Sequence, residues 1–197
     1  MATIISMSAE ARDRAGKGAA RATRRDGRVP AVIYGDKKDP ILVSVAPKEL
    51  IKELNKAGFF NHLIDLKLGG ESHLVLARDV QLDPVTDRPM HVDFLRVGAE
   101  STVTVEIPVH FINSDRSPGI KRGGMLNVVR HEVEMICRAT DIPESLTVDL
   151  NGLNIGDSVH ISMIALPAGS KPVISDRDFT VATIVPPIVG EAAGAAS

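Results

Sequence analysis

Residues 12–28, RDRAGKGAARATRRDGR, carry seven basic side chains: Arg12, Arg14, Lys17, Arg21, Arg24, Arg25 and Arg28. Only Asp13 and Asp26 oppose them, and no large hydrophobe interrupts the stretch. A helix over 19–26 would set Arg21, Arg24, Arg25 and Arg28 at i, i+3, i+4 and i+7, on one face or just past its end. The rest of that helix is Ala19, Ala20, Ala22 and Thr23. Alanine favours helix but offers little apolar area to bury. Like charges at this spacing repel, so the helix needs an external anion. Gly16 and Gly18 let the preceding loop bring backbone N–H groups close to a ligand, and a helix start adds its own positive pole. Arg outnumbers Lys six to one in the segment. The planar guanidinium matches phosphate and stacks on bases, which an ammonium does not. Nucleic acid is the economical partner; a solvated basic arm is the alternative.

A second constellation is MHVDFLR, residues 90–96. In a strand, Met90, Val92 and Phe94 face a core while His91, Asp93 and Leu95 face outward. His91 and Asp93 then share a surface and can hydrogen-bond ribose hydroxyls or base edges, or they form a surface pair of no consequence. The chain has one Tyr, five Phe and no Trp. Stacking platforms for single strands want several exposed aromatics, so structured RNA or a duplex backbone is the better target.

The whole chain, 197 residues with 44% hydrophobic and 24% charged residues, has globular composition and length for one large domain or two smaller ones. No apolar run reaches the roughly 18 residues of a membrane span. The single Cys137 excludes an internal disulfide or a multi-cysteine metal site and suits a reducing compartment. The amino terminus lacks a basic segment before its short apolar stretch, unlike a secretion signal, and Glu10 and Asp13 argue against a transit peptide. Residues 1–96 hold 16 Lys+Arg against 13 Asp+Glu, net +3, whereas residues 97–197 hold 7 against 12, net −5. That asymmetry points to a polyanionic partner for the first half alone.

Enzymatic and metal chemistry find little support. GIKRGG at 119–124 lacks the GK[ST] ending of a phosphate-binding P-loop and reads as a turn. Asp83, Asp87, His91 and Asp93 are separated by turn chemistry, and one strand face offers too few metal ligands. No Ser–His–Asp arrangement stands out among six scattered histidines. The expectation is no catalytic residue, no metal and no cofactor.

The positioning elements follow from pattern. PAVIY at 30–34 and ILVSV at 41–45 read as strands, the first closed by Gly35-Asp36. PKELIKELNKAG predicts a helix over 47–57, with Pro47 at its first position, an apolar face of Leu50, Ile51, Leu54 and Ala57, and Gly58 beyond its end. Lys48, Lys52 and Lys56 form its solvated face. Residues 63–68, 72–80 and 90–96 are further strands, the first two joined at Gly69-Gly70. The second half is almost purely β. Val103, Val105, Ile107, Val109 and Phe111 alternate on one face of 102–112, with Pro108 marking an edge or a bulge. Alternation recurs at 131–138, where Cys137 joins Val133 and Met135 as core, and at 145–150, 157–163 and 178–185. Turns are expected at Ser117-Pro118-Gly119, Gly123-Gly124, Asn151-Gly152 and Pro167-Ala168-Gly169. The fold class is mainly β with minor α. A boundary falls near Gly98, giving domains 1–97 and 98–190 and a mobile tail at 191–197.

GKGAARATRRDGRVPAVIYG (16–35) and DVQLDPVTDRPMHVDFLRV (79–97) resemble the bacterial large-subunit ribosomal proteins that bind 5S ribosomal RNA. The match is to the long form, the general stress protein CTC type: GIKRGGMLNVVRHEVEM (119–135), IPESLTVDLNGLNIGDSVHIS (142–162) and ATIVPP (182–187) are similar to its added β domain. The resemblance implies a six-stranded β-barrel with helices, then a mostly antiparallel β domain. It implies that the barrel grips an internal loop of 5S RNA with non-canonical pairs, through the minor groove. RNA contacts are implied for Arg14, Arg24 or Arg25, Tyr34, His91 and Asp93, with Lys17, Arg21 and Gln81 as additions. It also implies a cytoplasmic, ribosome-associated protein. The acidic second domain is then expected to touch neighbouring ribosomal proteins or to project toward solvent with only local RNA contacts. A DNA-binding stress regulator is the competing class, which 2′-hydroxyl readout would exclude.

Overall fold

Alternating apolar residues and tight turns bend the first half into a ladder that closes on itself. The chain is described by a computed structural model over residues 4–56, 58–98, 101–167 and 169–187. The expected tail at 191–197 lies outside the described residues, as do Ala57 and Ala168. Strands β1 (Ile4–Ala11), β2 (Val29–Gly35), β3 (Lys38–Val45), β4 (Leu63–Leu68), β5 (Glu71–Leu82) and β6 (Pro89–Arg96) form a closed barrel in the order β1-β3-β2-β6-β5-β4. Residue patterns had shown five of these strands. The sixth, β1, turns only soft or small side chains inward, Met7 and Ala9 being its buried residues. It closes the barrel by pairing antiparallel to β3 (Ala9↔Val45) and parallel to β4 (Ile4↔Leu63).

Met7, Ile33, Val43, Leu66, Val75, Val92 and Phe94 fill the barrel. Each large side chain buried there contributes about 1.5–3 kcal/mol relative to exposure. The β2–β3 hairpin turns on Asp36 (φ 58°) and Lys37 (φ 54°), and the β4–β5 hairpin on Gly69 (φ 55°) and Gly70 (φ 98°). Paired positive φ values give the turn whose twist matches the flanking strands.

Two helices join the barrel strands: α1 (Lys17–Arg25) between β1 and β2, and α2 (Pro47–Leu54) between β3 and β4. Pro47 does stand at the start of α2, but the helix ends at Leu54, with Asn55 as its C-cap. Gly58 (φ 77°) instead opens a 3₁₀ turn, Phe59–Asn61, rather than capping α2. Leu50 is fully buried, whereas Ile51 is 37% exposed, so the inward face is narrower than the sequence suggests.

The second half contributes β7 (Thr102–Ile112), the short helix α3 (Pro118–Lys121), β8 (Met125–Val128), β9 (Glu132–Arg138), β10 (Leu146–Asp149), β11 (Ser158–His160), β12 (Lys171–Pro172) and β13 (Thr180–Val185). They make a four-stranded sheet, β10-β7-β9-β12, and a three-stranded sheet, β11-β13-β8. The β7 alternation is as expected at Val103, Val105, Ile107 and Val109, all buried. Pro108, however, lies in an inner strand. It is tolerated because the parallel pairing with β10 begins one residue later, at Val109↔Leu146. The strand expected at 157–163 stops at His160 and gives way to a 3₁₀ turn, Ile161–Met163. Cys137 is buried with Val133 and Met135 on the inner face of β9, and that burial raises its thiol pKa. Two compact units result: Met1–Ile107 with Glu134–Glu144 and Pro167–Val173, and Pro108–Val133 with Ser145–Leu166 and Ile174–Ser197.

Candidate nucleic-acid interface

Helix α1 begins two residues earlier than its composition indicates, so Gly18 lies in its first turn rather than in a loop. Gly16 is the N-cap, at φ 100°, and offers no capping side chain. The N–H groups of the first turn are therefore left to an outside acceptor. Arg14 and Lys17, both exposed, flank that end and line an open concavity of about 700 Å³. A helix N-terminus between two cations favours an anion twice over. At the other end, the Gly27 N–H donates to the Arg24 carbonyl and the Arg28 N–H to the Thr23 carbonyl. With Gly27 at φ 76°, these bonds form a Schellman close.

That close decides which basic residues stay on the ridge. Arg21, Arg24 and Arg25 remain on the helix and exposed. Arg28, displaced past the turn, folds against the barrel. Its Nε donates to Ser44 Oγ at 3.0 Å, its Nη2 to the Ser44 carbonyl at 3.0 Å, and its Nη1 lies 3.0 Å from Glu10 Oε1. Arg12 is consumed in the same way: Nε donates to the Val43 carbonyl at 2.8 Å and Nη2 to the Ala31 carbonyl at 3.2 Å. Desolvation pulls the Arg12 pKa below its ordinary value. Two of the seven cations thus hold the barrel together. Arg14, Lys17, Arg21 and Arg25 make no side-chain hydrogen bond or ion pair among the described residues.

The other predicted residues meet on the outer face of β2, β6 and β5. Inside that sheet lie Ala31, Ile33, Val92 and Phe94; outside lie Tyr34, His91, Asp93 and Gln81. Register fixes their order. Tyr34 pairs with Leu95 across the parallel β2–β6 ladder, and Gln81 with His91 across the antiparallel β5–β6 ladder. His91 Nδ1 stands 2.8 Å from Asp93 Oδ1. One residue was missed: Asp79 lies directly opposite Asp93. The β5 bulge between Ala77 and Asp79 puts it there, and no sequence spacing reveals that shift. Like charges directly opposed destabilise a sheet unless a donor comes between them.

Ridge and face are physically joined. The β5–β6 register passes from Gln81↔His91 to Leu82↔Pro89 and skips Met90. The Met90 carbonyl is turned out of the ladder and accepts a hydrogen bond from Arg24 Nη1 at 3.1 Å. Below this link, a recess of about 500 Å³ opens between the end of α1, the first turn of α2 and residues 83–90. Lys48, read as part of a solvated face, lines it together with Arg88.

The remaining motifs are structural. Asp83 Oδ1 accepts from the Val85 N–H (3.0 Å), the Thr86 N–H (2.8 Å) and Thr86 Oγ1 (3.0 Å), so it is a turn cap. Those bonds, led by the Thr86 N–H, hold its carboxyl below the usual range. No cluster that could hold a metal ion occurs among the described residues. In GIKRGG, a Cβ on Gly119 would sit 2.7 Å from the Asn154 carbonyl carbon, and one on Gly124 would sit 2.7 Å from the Gly119 oxygen. These glycines serve packing. Among the described residues, no helix is long and apolar enough to cross a membrane.

These elements make a β-barrel protein that carries a guanidinium ridge beside a polar strand face and is followed by further β structure, and comparison with known proteins places this class among ribosomal proteins. Residues 7–94 match the model of the Ribosomal L25p family, and residues 102–188 match that of ribosomal protein TL5, C-terminal domain. The large ribosomal subunit protein bL25 of Rhodospirillum rubrum is 55% identical, covering 100% of this chain and 98% of that protein. That of Mesorhizobium japonicum is 58% identical over 90% of this chain and 84% of its own length. That of Novosphingobium aromaticivorans is 52% identical over 95% and 92%. The chain belongs to the bL25 family of large-ribosomal-subunit proteins, in the form that carries the TL5-type C-terminal domain.

Proposed function

We propose that the chain is a structural, non-catalytic constituent of the large ribosomal subunit that binds 5S ribosomal RNA, at an internal loop with non-canonical pairs, through the minor groove. Arg14, Lys17, Arg21, Arg24 and Arg25 position the RNA by its phosphates. Tyr34, Gln81, His91 and Asp93 read shape, ribose and base edges, the features a wide RNA minor groove presents. The observation that carries this reading is the Arg24–Met90 bond, which sets the phosphate ridge beside the strand face bearing His91. The proposed domain limits are 1–97 for RNA binding and 98–190 for the acidic partner domain; the family matches over 7–94 and 102–188 support them, whereas the compact units divide inside β7, after Ile107. The protein acts in the cytoplasm as part of the ribosome.

The test is competition. Full-length chain bound to 5S RNA should be displaced by unlabelled 5S RNA and hardly at all by duplex DNA, which lacks the 2′-hydroxyl. With about five phosphates neutralised, log K should fall against log salt with a slope of about −4. Equal displacement by DNA, or a slope near zero, refutes the reading. The acidic domain is repelled by phosphate at long range, so in assembled subunits photo-crosslinkers placed at Glu132 or Asp157 should capture ribosomal proteins. Capture of 5S RNA alone would overturn that assignment.

A further inference from the structure

The recess beside the ridge combines two kinds of wall. Its apolar lining includes Pro47, Ile51, Pro89 and Met90. Ile51, 37% exposed, is a large hydrophobe that the other described residues leave partly uncovered at the mouth. Its polar lining is cationic: Arg24, Lys48 and Arg88. The only carboxylate in the lining is Asp83, and it is committed to Val85 and Thr86. The α2 N-terminus, capped by no side chain, opens beside Lys48. Lys48 and Arg88 make no side-chain hydrogen bond or ion pair among the described residues, although the Arg88 charge also lowers the Asp83 pKa from a distance.

Apolar faces flanked by cations suit a planar base carrying a phosphate. The volume, about 500 Å³, lies within the range of about 300–1,000 Å³ typical of small-ligand sites. We propose that this recess takes one unstacked nucleotide of the bound RNA, its base against Ile51, Pro47 and Pro89 and its phosphate between Lys48 and Arg88. The inference rests on the RNA-binding reading above. Continuity selects RNA as the occupant: Arg24 belongs both to the recess wall and to the ridge, so a strand following the ridge reaches the mouth. Proteins commonly capture unpaired RNA bases in this way, splayed out of the helix. With no aromatic in the lining, the base rests on Pro, Ile and a guanidinium plane, which stacks on bases.

The test is nucleotide-resolution chemical probing of 5S RNA bound to the full chain, for the wild type, Ile51→Glu and Arg88→Ala. Thermal melts confirm that both variants fold. Lys48→Gln replaces either variant that does not. The wild type should protect one nucleotide outside the Watson–Crick pairs. Ile51→Glu should leave that nucleotide reactive while the rest of the footprint persists, and both variants should bind more weakly by well over twofold. Arg88→Ala should also reduce the salt slope by about one. An unchanged footprint with affinity within twofold overturns the inference while leaving RNA binding intact. A reduced slope with no nucleotide exposed also overturns it, since the recess then meets backbone only. If the wild type protects no 5S nucleotide at all, the RNA-binding reading fails first and this one falls with it.

Discussion

The Arg24 guanidinium donates to the Met90 carbonyl at 3.1 Å, joining residues 66 positions apart and pinning α1 to the bulged start of β6. Arg24 is therefore both a cation and a tether, whereas its neighbour Arg25 is a cation only. Replacing either with Ala should weaken binding to every RNA and lower the salt slope by about one. Arg24→Ala should cost more, because the ridge is also released from the strand face. Filter binding across a salt series measures both. Equal losses for the two variants would show the tether to be idle.

His91 sits opposite Gln81 and 2.8 Å from Asp93, on the sheet rather than on the ridge. His91→Ala should leave the salt slope unchanged and narrow the preference for 5S RNA over a non-cognate hairpin by about 1–3 kcal/mol, the scale of one good base contact. A uniform loss on both RNAs would make His91 a phosphate contact instead.

Arg12 belongs to the barrel. Arg12→Ala strips donors from the Val43 and Ala31 carbonyls, and unsatisfied buried acceptors cost about 1–3 kcal/mol. The melting temperature should fall by roughly 4–8 °C for each kcal/mol in a domain of this size, with the salt slope of RNA binding unaltered. A stable variant with a shallower slope would return Arg12 to the RNA ridge.

The Asp83 turn cap predicts a pH dependence of stability. Hydrogen bonds from Thr86 and Val85 hold its carboxyl below the ordinary value. A depressed carboxyl contributes stability that is present above the unfolded pKa, about 4, and is lost as pH falls through the folded pKa. Asp83→Asn should therefore lower the melting temperature at neutral pH, and the gap from wild type should close as pH falls below about 4. A gap of constant size down to about pH 2 would show that the charge on Asp83 is irrelevant.

Short-range signals were legible in the sequence. Pro47 marked the start of α2, Cys137 fell on the buried face of β9, and His91 and Asp93 reached one sheet surface through strand alternation, whereas Tyr34 and Gln81 came from the family resemblance. What escaped depends on distant backbone. Arg12 and Arg28 look like the other ridge residues, and only the carbonyls of Val43, Ala31 and Ser44 take them away from it. Asp79 joins Asp93 through a bulge, which shifts register without a period of its own. Ser117-Pro118-Gly119, expected as a turn, starts α3, because Ser117 Oγ accepts from the Ile120 N–H and the helix then ends within four residues. Lys48, Lys52 and Lys56 are exposed, as the helix repeat indicates; what the repeat does not show is that residues 83–90 lie beside Lys48.

The seam at Ile4–Ala11 carries a consequence for handling the molecule. Among the described residues, β1 is the only element bridging β3 and β4. A shortened version that kept every cationic group but began after residue 11 would bare two ladder margins at once. Unpaired margins recruit other chains, so such a version should clump rather than simply bind less well. The side chains of this one seam strand guard solubility for a surface that lies further along the polypeptide.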